Sequence, residues 1–380
     1  MAGSVVTFFA ELPDPRSPLG RRHQLGDLLT IAICGVICGA ESWTEVAQFG
    51  RDKLAWFRTF LALPHGIASH DTFGRIFALL DPEAFERCFD AWMESLADRS
   101  GRRIVAVDGK TLRHSFDHAW DQAAVHMVSA FASANRLVLG QIATEAKSNE
   151  ITAIPKLLEL PDLRGAVITI DAMGCQKEIA RTILKQGGDY VLAVKGNQPT
   201  LYEQVRGLMD EGIRESFQWM RHDGCVETDG DHGRIETRRV WTTPDVQWPK
   251  GVEDWPGLHS LAVVEATREV HGQTSWERRY FISSLNGQDA QATGATIRAH
   301  WRIENQLHWS LDVSFREDDC RIRKGHAAEN FSRLRRIALN LLKMEKSVNV
   351  GVHAKRLKAG WNQRLPAPSA TTLSLRLPCL

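Results

Sequence analysis

The sequence predicts an α/β (α+β) protein that begins with an all-helical region. Apolar residues recur at helical spacing up to about residue 98, and after it short apolar runs of strand length alternate with helical segments. Residues 215–285, rich in tryptophan and in β-type runs, interrupt that alternation. The chain has 380 residues, 43% hydrophobic and 24% charged, so it is long enough for two or three globular domains.

Residues 1–98 are predicted to form a helical N-terminal domain. One helix is expected to begin after Ser69, a capping residue, and another at Pro82. The apolar run Leu28–Ala40 is too short to span a bilayer and predicts a buried helix, so no membrane association is expected. The polar stretch Asp98–Arg103 is typical of a domain junction.

The second region follows the order strand–strand–strand–helix–strand–helix–strand, which is the order of the ribonuclease H-like fold. The expected elements are strands at 104–107, 125–133 and 136–144, a helix at 149–160, a strand at 166–170, a helix at 177–185, a strand at 190–194, and a helix from about 199. We expect a ribonuclease H-like core over 99–214 and 286–350, interrupted by a β-rich insertion over 215–285 with strands at 235–242, 260–267 and 278–283. Helices at 295–312 and 327–346 would complete the core, and 351–380 would be a basic and then disordered tail.

Cysteine usage and charge restrict the class of protein. Seven scattered cysteines without a CxxC pair predict neither a zinc knuckle nor a disulfide framework, which fits a reducing cytoplasm, and the N-terminus lacks a signal-peptide pattern. Twelve Lys and Arg face only two Glu between residues 321 and 365, although the whole chain carries +1. This asymmetry indicates either a local polyanion-binding surface or a solvated helix face.

Two acids, Asp108 and Asp171, each follow a short apolar strand. Side chains at the carboxyl ends of strands in an open sheet face a crevice where ligands bind. Carboxylates are ligands that Mg²⁺ prefers, and a second ion ~4 Å away needs one further carboxylate. Glu304, on the predicted helix 295–312, can supply it, and helical spacing places it in one row with His300 and His308.

Each of these residues alone also has an ordinary interpretation. Asp-Gly at 108–109 is a common turn pair, and a glutamate on a helix is usually solvated. Asp171 could bind a ribose, although no GxGxxG precedes it. The acids that compete for the third position are Asp312, Glu317, Asp318 and Asp319.

Several motifs in order make the sequence resemble a DDE insertion-sequence transposase of the ISAs-type branch, which includes the H-repeat-associated proteins. They are FFAELPDPRSPLGRRH (8–23), VDGK (107–110), TIDAMGCQ (169–176), YVLAVKGNQ (190–198), HGRIETR (232–238), YFISSL (280–285), HWRIENQLHW (300–309), LDVSFRED (311–318) and RLRRIALNLL (333–342). The resemblance implies that Asp108, Asp171 and Glu304 are the catalytic acids and the ligands of two Mg²⁺ ions, for which Mn²⁺ can substitute. In related transposases with a β insertion, Tyr, Arg and Lys often flank the glutamate at positions that are Ile297, His300 and Leu311 here.

The function implied by the resemblance is hydrolysis at transposon ends and transfer of the freed 3′-hydroxyl into target DNA. The partners would be terminal inverted repeats and target DNA, bound by a dimer, with residues 1–98 recognising the ends in a cytoplasmic, nucleoid-associated protein. Expected DNA contacts are Lys110, Lys195, Asn197, Gln198, His300, Arg302, His308, Arg321, Arg323, Lys324, Arg335 and Arg336. The alternatives are a metal-dependent nuclease without strand transfer and a catalytically silent, transposon-derived DNA-binding protein.

Overall fold

The structure is a computed structural model that describes residues 5–96, 103–116, 123–144, 150–231, 234–247, 252, 254–270 and 272–361. The predicted junction at 98–103 lies almost wholly outside these residues, as do residues 362–380 of the predicted tail, whereas Val352–Trp361 of that tail forms a helix. Within them, no helix is both long and apolar enough to cross a membrane.

The N-terminal region is helical, as predicted. Its helices are α1 (Val5–Phe8), α2 (Leu25–Ile37), α3 (Trp43–Asp52), α4 (Leu54–Phe57), α5 (His70–Leu79) and α6 (Pro82–Leu96). Ser69 caps α5 by accepting a hydrogen bond from the Thr72 backbone N–H, and Pro82 is the first residue of α6, so both predicted helix starts are confirmed. Helix α2 is buried along almost its whole length, which agrees with its continuous apolar run.

One mixed sheet of nine strands forms the centre of the molecule. Its strands are β1 (Arg103–Thr111), β2 (His126–Ala132), β3 (Leu137–Ala143), β4 (Ala166–Ile170), β5 (Asp189–Val194), β6 (Asp223–Asp231), β7 (Arg234–Thr243), β8 (Ser260–Val270) and β9 (Gln273–Ser283). The order is β3-β2-β1-β4-β5-β9-β8-β7-β6. Strands β1, β4 and β5 are parallel while β2 is antiparallel to β1, so the first five strands have the ribonuclease H-like arrangement.

The β-rich insertion continues the core sheet, because β9 pairs antiparallel with β5. Its predicted strands are present, and β6 is an additional strand that the sequence did not suggest. Its sequence, DGCVETDGD, contains four acids and two glycines, residue types that are depleted in strands. Pairing along its whole length with β7 overrides this low propensity.

Helices cover both faces of this sheet. They are α7 (Glu150–Leu158), α8 (Lys177–Lys185), α9 (Pro199–Arg214), α10 (Ala290–Arg302), α11 (Ala327–Met344) and α12 (Val352–Trp361). Buried residues of α2, α6 and α11 belong to one hydrophobic core, which also contains Ile303, Leu307, Leu311 and Phe315. The segment that carries Glu304 is therefore anchored against the N-terminal helices.

The strand that carries Asp108 is longer than predicted. It continues to Thr111, so Asp108 and Gly109 lie inside β1, paired with Ser129 and Val128 of β2. The interpretation of Asp108-Gly109 as a turn is therefore wrong. Gly109 fits this interior position because an added Cβ would lie 2.2 Å from Glu150 Oε1 and 2.3 Å from His126 Nε2.

Candidate active site

Strand register brings Asp108 and Asp171 to adjacent positions. The parallel pairing of β1 with β4 ends at Val107 and Ile170, and the two acids are the next residues of their chains. Residues paired in this way point to the same face of a sheet, and on this face Thr169 contacts His300 of α10. Both carboxylates are therefore directed toward the helix that leads to Glu304.

Three side chains meet at this position. His308 Nδ1 lies 3.2 Å from Glu304 Oε2 and 3.6 Å from Asp108 Oδ2, and donor atoms of all three residues lie within 4.8 Å of one another. The Asp108 and His308 side chains are 15% and 8% exposed, whereas Glu304 is 50% exposed. The group is therefore buried on the side of Asp108 and His308 and open to solvent on the side of Glu304. Two carboxylates and an imidazole make a donor set that suits a divalent cation.

The two carboxyl groups have opposite pKa shifts. Burial, together with the hydrogen bond and charge of Glu304, raises the pKa of Asp108 to about 8. The hydrogen bond from His308 lowers the pKa of Glu304 to about 2, and Asp108 contributes a second hydrogen bond. These opposite shifts favour one proton on the pair, held on Asp108, as expected of two close carboxylates. A divalent cation would replace that proton.

Asp171 stands beside this group but outside it. Its carboxylate caps the short turn that follows β4 by accepting a hydrogen bond from the Met173 backbone N–H, 3.0 Å away. Its charge contributes to the raised pKa of Asp108. The loop after β5 holds this turn, because the Asn197 amide donates to the Ala172 carbonyl and the Gln198 amide donates to the Cys175 carbonyl.

Those two amides were predicted to contact DNA, and this stays a prediction, because Asn197 is exposed and Gln198 is half-buried. They donate hydrogen bonds to the turn that carries Asp171, so they fix the position of a candidate catalytic acid. Lys195, in the same loop, is exposed and stays a predicted DNA contact.

The segment that carries Glu304 is wider than an α-helix. After α10, residues Ile303–His308 and Ser310–Ser314 form π-helical turns, which replace the end of the helix predicted over 295–312. The Gln306 carbonyl accepts hydrogen bonds from Lys343 Nζ of α11 at 3.1 Å and from Ser310 Oγ at 2.8 Å. Side chains thus satisfy a carbonyl in this segment.

A sequence signal for these wide turns exists. Ile303, Leu307, Leu311 and Phe315 are spaced four apart, and all are 0% exposed. In an α-helix each step of four residues overshoots a full turn by about 40°, so the fourth residue would leave the buried face. Wider turns keep all four in the core.

The predicted row of His300, Glu304 and His308 is correct only in part. Glu304 and His308 lie together, whereas His300 Nδ1 is 3.1 Å from Thr169 Oγ1. Burial lowers the pKa of His300, which makes the ring neutral and unsuited to replace an arginine as a phosphate contact. His308 was predicted to contact DNA, which stays a prediction, and in the structure it lies with Asp108 and Glu304 in a group that could hold a metal ion.

Several of the predicted basic DNA contacts are buried, and for these the prediction is wrong. Arg335 and Arg336 of α11 are 2% and 0% exposed and face the buried Glu317, which lies 3.0 Å from Arg336. Lys110, 9% exposed, is held by Asp312 at 2.7 Å and Asp318 at 2.9 Å. Charge counting could not reveal this, since the matching acids lie far away in the chain or on another element.

Other members of the predicted set remain accessible. Arg302, Arg321 and Lys324 are exposed. Arg323 is half-buried, stacked on Phe116 with its guanidinium 4.7 Å from the ring centre, and donates to the His114 carbonyl. These four stay predicted DNA contacts.

Comparison with known proteins decides the family. Residues 99–341 match the family described as "Transposase DDE domain", and residues 6–93 match the family described as "DDE_Tnp_1-associated". The chain belongs to the DDE transposase family. The resemblance inferred from the motifs is confirmed.

Curated relatives within the DDE transposase family cover nearly the whole chain. The H repeat-associated putative transposase YhhI of Escherichia coli K12 is 40% identical over 363 residues, which is 93% of both chains. The putative transposase YncI of Escherichia coli O157:H7 is 41% identical over 363 residues, 94% of this chain and 92% of its own. An uncharacterized protein in the dhlA 3′ region of Xanthobacter autotrophicus is 48% identical over 283 residues, 73% of this chain and 93% of its own.

Proposed function

We propose that this member of the DDE transposase family is an active enzyme. It hydrolyses a phosphodiester bond at each transposon end and transfers the freed 3′-hydroxyl into target DNA. The observation that carries the proposal is the convergence of Asp108, Glu304 and His308 within 4.8 Å, beside Asp171, at the edge of the ribonuclease H-like sheet. Residues that are distant in sequence meet here in a geometry that suits a divalent cation.

Asp108 and Glu304 would hold the cation, with His308 as a third ligand and Asp171 completing the site from the adjacent strand. When bound, Mg²⁺ or Mn²⁺ supplies positive charge that stabilises the in-line transition state and acidifies a water molecule. The imidazole of His308 favours Mn²⁺ over Mg²⁺, because Mg²⁺ prefers oxygen ligands. The family's two-ion arrangement remains part of this proposal.

The chain's own residues prepare the site in two ways. Because the Asp108 side chain is buried, water is excluded from that side of the site. The half-exposed Glu304 leaves the other side of the site open to a phosphodiester. The proton held on Asp108 leaves when the cation binds, so both carboxylates are ionised during the reaction. The exposed Arg302, two residues before Glu304 in the chain, would meet phosphates.

Recognition of the ends is assigned to the helical residues 1–98, and a dimer would join the two ends. Exposed Lys195, Arg321 and Lys324 would add contacts that do not depend on DNA sequence. A deletion of residues 1–98 that still binds the transposon ends specifically would contradict the first assignment. Because the core of α2 and α6 is shared with α11, point substitutions on the exposed side of α3 and α5 are the cleaner test.

The test of activity uses purified protein, labelled DNA carrying the inverted repeats that flank the gene, and Mg²⁺ or Mn²⁺. The proposal expects metal-dependent nicking at the ends and joined products with a target plasmid, and expects loss of both with Asp108→Asn. Nicking without joined products would favour a nuclease without strand transfer. Specific binding with no nicking by the wild-type protein in either metal would favour a catalytically silent DNA-binding protein.

A further inference from the structure

A groove runs along the outer half of the sheet, away from the three-residue group. Its floor is one face of β6 to β9, its wall is α10, and it encloses about 730 Å³. Helix α10 packs closely on β7 at one end, where an added Cβ on Gly294 would lie 2.9 Å from Val240 Cγ2. The groove opens beyond this contact and ends at Asn305 and Gln306, next to Glu304.

The charge of the groove is predominantly positive. It is lined by six arginines and three glutamates, and none of the lining residues is a lysine. Arg268 is exposed and has no ion pair among the described residues. Guanidinium groups bind phosphates through two parallel hydrogen bonds, which makes arginine the preferred residue for phosphate recognition.

Two further arginines of the groove, Arg279 and Arg298, are held in surface ion pairs. Arg279 lies 2.7 Å from Glu277, and Arg298 of α10 lies 3.5 Å from Glu227 of β6 and also contacts Asp229. The arginine side chains of these pairs are 30% and 47% exposed. Exposed ion pairs of this kind are weak, so a phosphate can displace their carboxylates.

An aromatic face completes the groove. Trp301 is 45% exposed, and the Arg279 guanidinium lies 4.7 Å from the centre of its ring. Positively charged grooves with an exposed aromatic ring bind single-stranded nucleic acid, because phosphates meet the arginines and unpaired bases stack on the ring. The exposed ring favours a single strand over a duplex, because the bases of a duplex are already paired and stacked.

We propose that this groove binds a single strand of DNA next to the cleavage site. The inference rests on the proposed DNA cleavage for the identity of the strand, but binding in the groove does not require catalysis. It assigns a DNA-binding role to Arg268, Arg279 and Arg298, none of which the sequence suggested.

The test measures binding of a labelled twelve-residue thymidylate oligonucleotide, and of a duplex of equal length, to the full chain in EDTA. The groove variant is Arg268→Ala with Arg279→Ala. The matched control is Arg206→Ala with Arg214→Ala, two exposed, ion-paired arginines of α9. We expect the groove variant to bind the single strand at least tenfold more weakly and the control to bind as wild type. Because the groove variant loses two phosphate contacts, the logarithm of its affinity should fall less steeply with the logarithm of the salt concentration. The magnitude of the slope should be smaller by about 1.4.

A second variant, Ala266→Phe, fills the groove floor without changing its charge and should weaken binding as well. Unchanged single-strand affinity in both groove variants, with unchanged thermal unfolding, would overturn the inference. A loss confined to the duplex would show that the groove holds double-stranded DNA, and equal competition by polyglutamate would show a general polyanion site; either result overturns it. Failure of the proposed function would be distinguishable from this. Wild-type protein would not cut DNA, while Asp108→Asn would still bind the oligonucleotide.

Discussion

His308 Nδ1 lies 3.2 Å from Glu304 Oε2, four residues earlier on the same helical segment. The wide turns of this segment keep its apolar residues in the core and direct both side chains toward Asp108 on β1. This contact is the main cause of the low pKa of Glu304. The helical segment therefore contributes an ionised glutamate and a buried imidazole to the site. Both lie next to the carboxyl group of Asp108.

Replacing His308 should weaken metal binding. For His308→Ala we expect half-maximal DNA cleavage to require at least about tenfold more Mn²⁺, since changes around metal ligands typically cost 10–100-fold. The measurement is a cleavage titration with Mn²⁺. His326→Ala is the control, because His326 is exposed at the start of α11. An unchanged Mn²⁺ requirement in His308→Ala would exclude His308 as a ligand.

The buried Arg336 should contribute to stability and not to DNA binding. Burial alone would raise the pKa of Glu317, but the charges of Arg336 and Arg335 hold it below its ordinary value. Arg336→Met leaves that carboxylate without its closest charged partner, and we expect a loss of about 3–5 kcal/mol in the free energy of unfolding. Arg321→Ala, at an exposed position, should change stability by less than about 0.5 kcal/mol.

The same two variants separate structure from DNA binding. Measured below the unfolding temperature, the salt dependence of DNA affinity should be unchanged in Arg336→Met and weaker in Arg321→Ala. Denaturant titration and fluorescence anisotropy provide the two measurements. A reversal of this pattern would mean that α11 unpacks to expose its arginines to DNA.

A side chain at Gly109 should disturb the contacts around β1. A Cβ there would overlap the hydrogen-bonded pair His126 and Glu150, whose Nε2 and Oε1 atoms are 2.7 Å apart. Gly109→Ala should therefore displace the ends of these two side chains and break their hydrogen bond, and since Gly109 N–H donates to Asp108 Oδ1, we expect cleavage to be reduced but not abolished. Gly207→Ala is the control: nothing lies within 4 Å of its added Cβ, and an alanine inside α9 should stabilise by roughly 0.5–1 kcal/mol. Wild-type activity in Gly109→Ala would contradict the described packing.

Asp90 of α6 should make stability depend on pH. Burial, and then the charge of Glu86, raises the pKa of Asp90 to about 9, and neither carboxyl oxygen has a hydrogen-bond partner in the described part of the chain. Between about pH 4 and pH 9 the folded state keeps a proton that the unfolded state has lost. This stabilisation is present at low pH and is lost as pH rises through that window.

Asp90→Asn removes the loss of stability that develops in the wild type as pH rises through this window. The difference in unfolding free energy between the variant and the wild type should therefore grow from pH 5 to pH 8, by at most about 1.4 kcal/mol per pH unit. Urea titrations at the two pH values measure it, with the exposed Asp71→Asn as the control. A difference that stays constant with pH would mean that Asp90 is ionised in the folded protein.

The sequence predicted much of the fold because its core strands are short apolar runs with clear ends. Strand β4 and helix α8 occur at the predicted residues, and the placement of Asp171 after β4 follows from them. Strand β6 was missed because its residues disfavour strands and only its partner β7 stabilises it. Asp108 was predicted to end a strand, whereas pairing with β2 extends β1 past it.

The site was harder to predict than the fold because it depends on how far the helical segment turns. An α-helical spacing gave a single row of three residues, but the π-helical turns place His308 in the group and leave His300 on Thr169. Net charge was similarly misleading for α11, whose arginines are paired with buried acids from distant parts of the chain, such as Glu86 and Glu317. The residues around α11 in the sequence do not indicate which acids these arginines pair with.

The proposed function requires that Asp108, Asp171, Glu304 and His308 surround a divalent cation. A crystal soaked in Mn²⁺, with an anomalous difference map recorded at the manganese edge, tests this directly. The account predicts a peak bonded to the carboxylates of Asp108 and Glu304, which disappears in Asp108→Asn crystals. A peak at a different place, or none in a protein that still cleaves DNA with Mn²⁺, would contradict it.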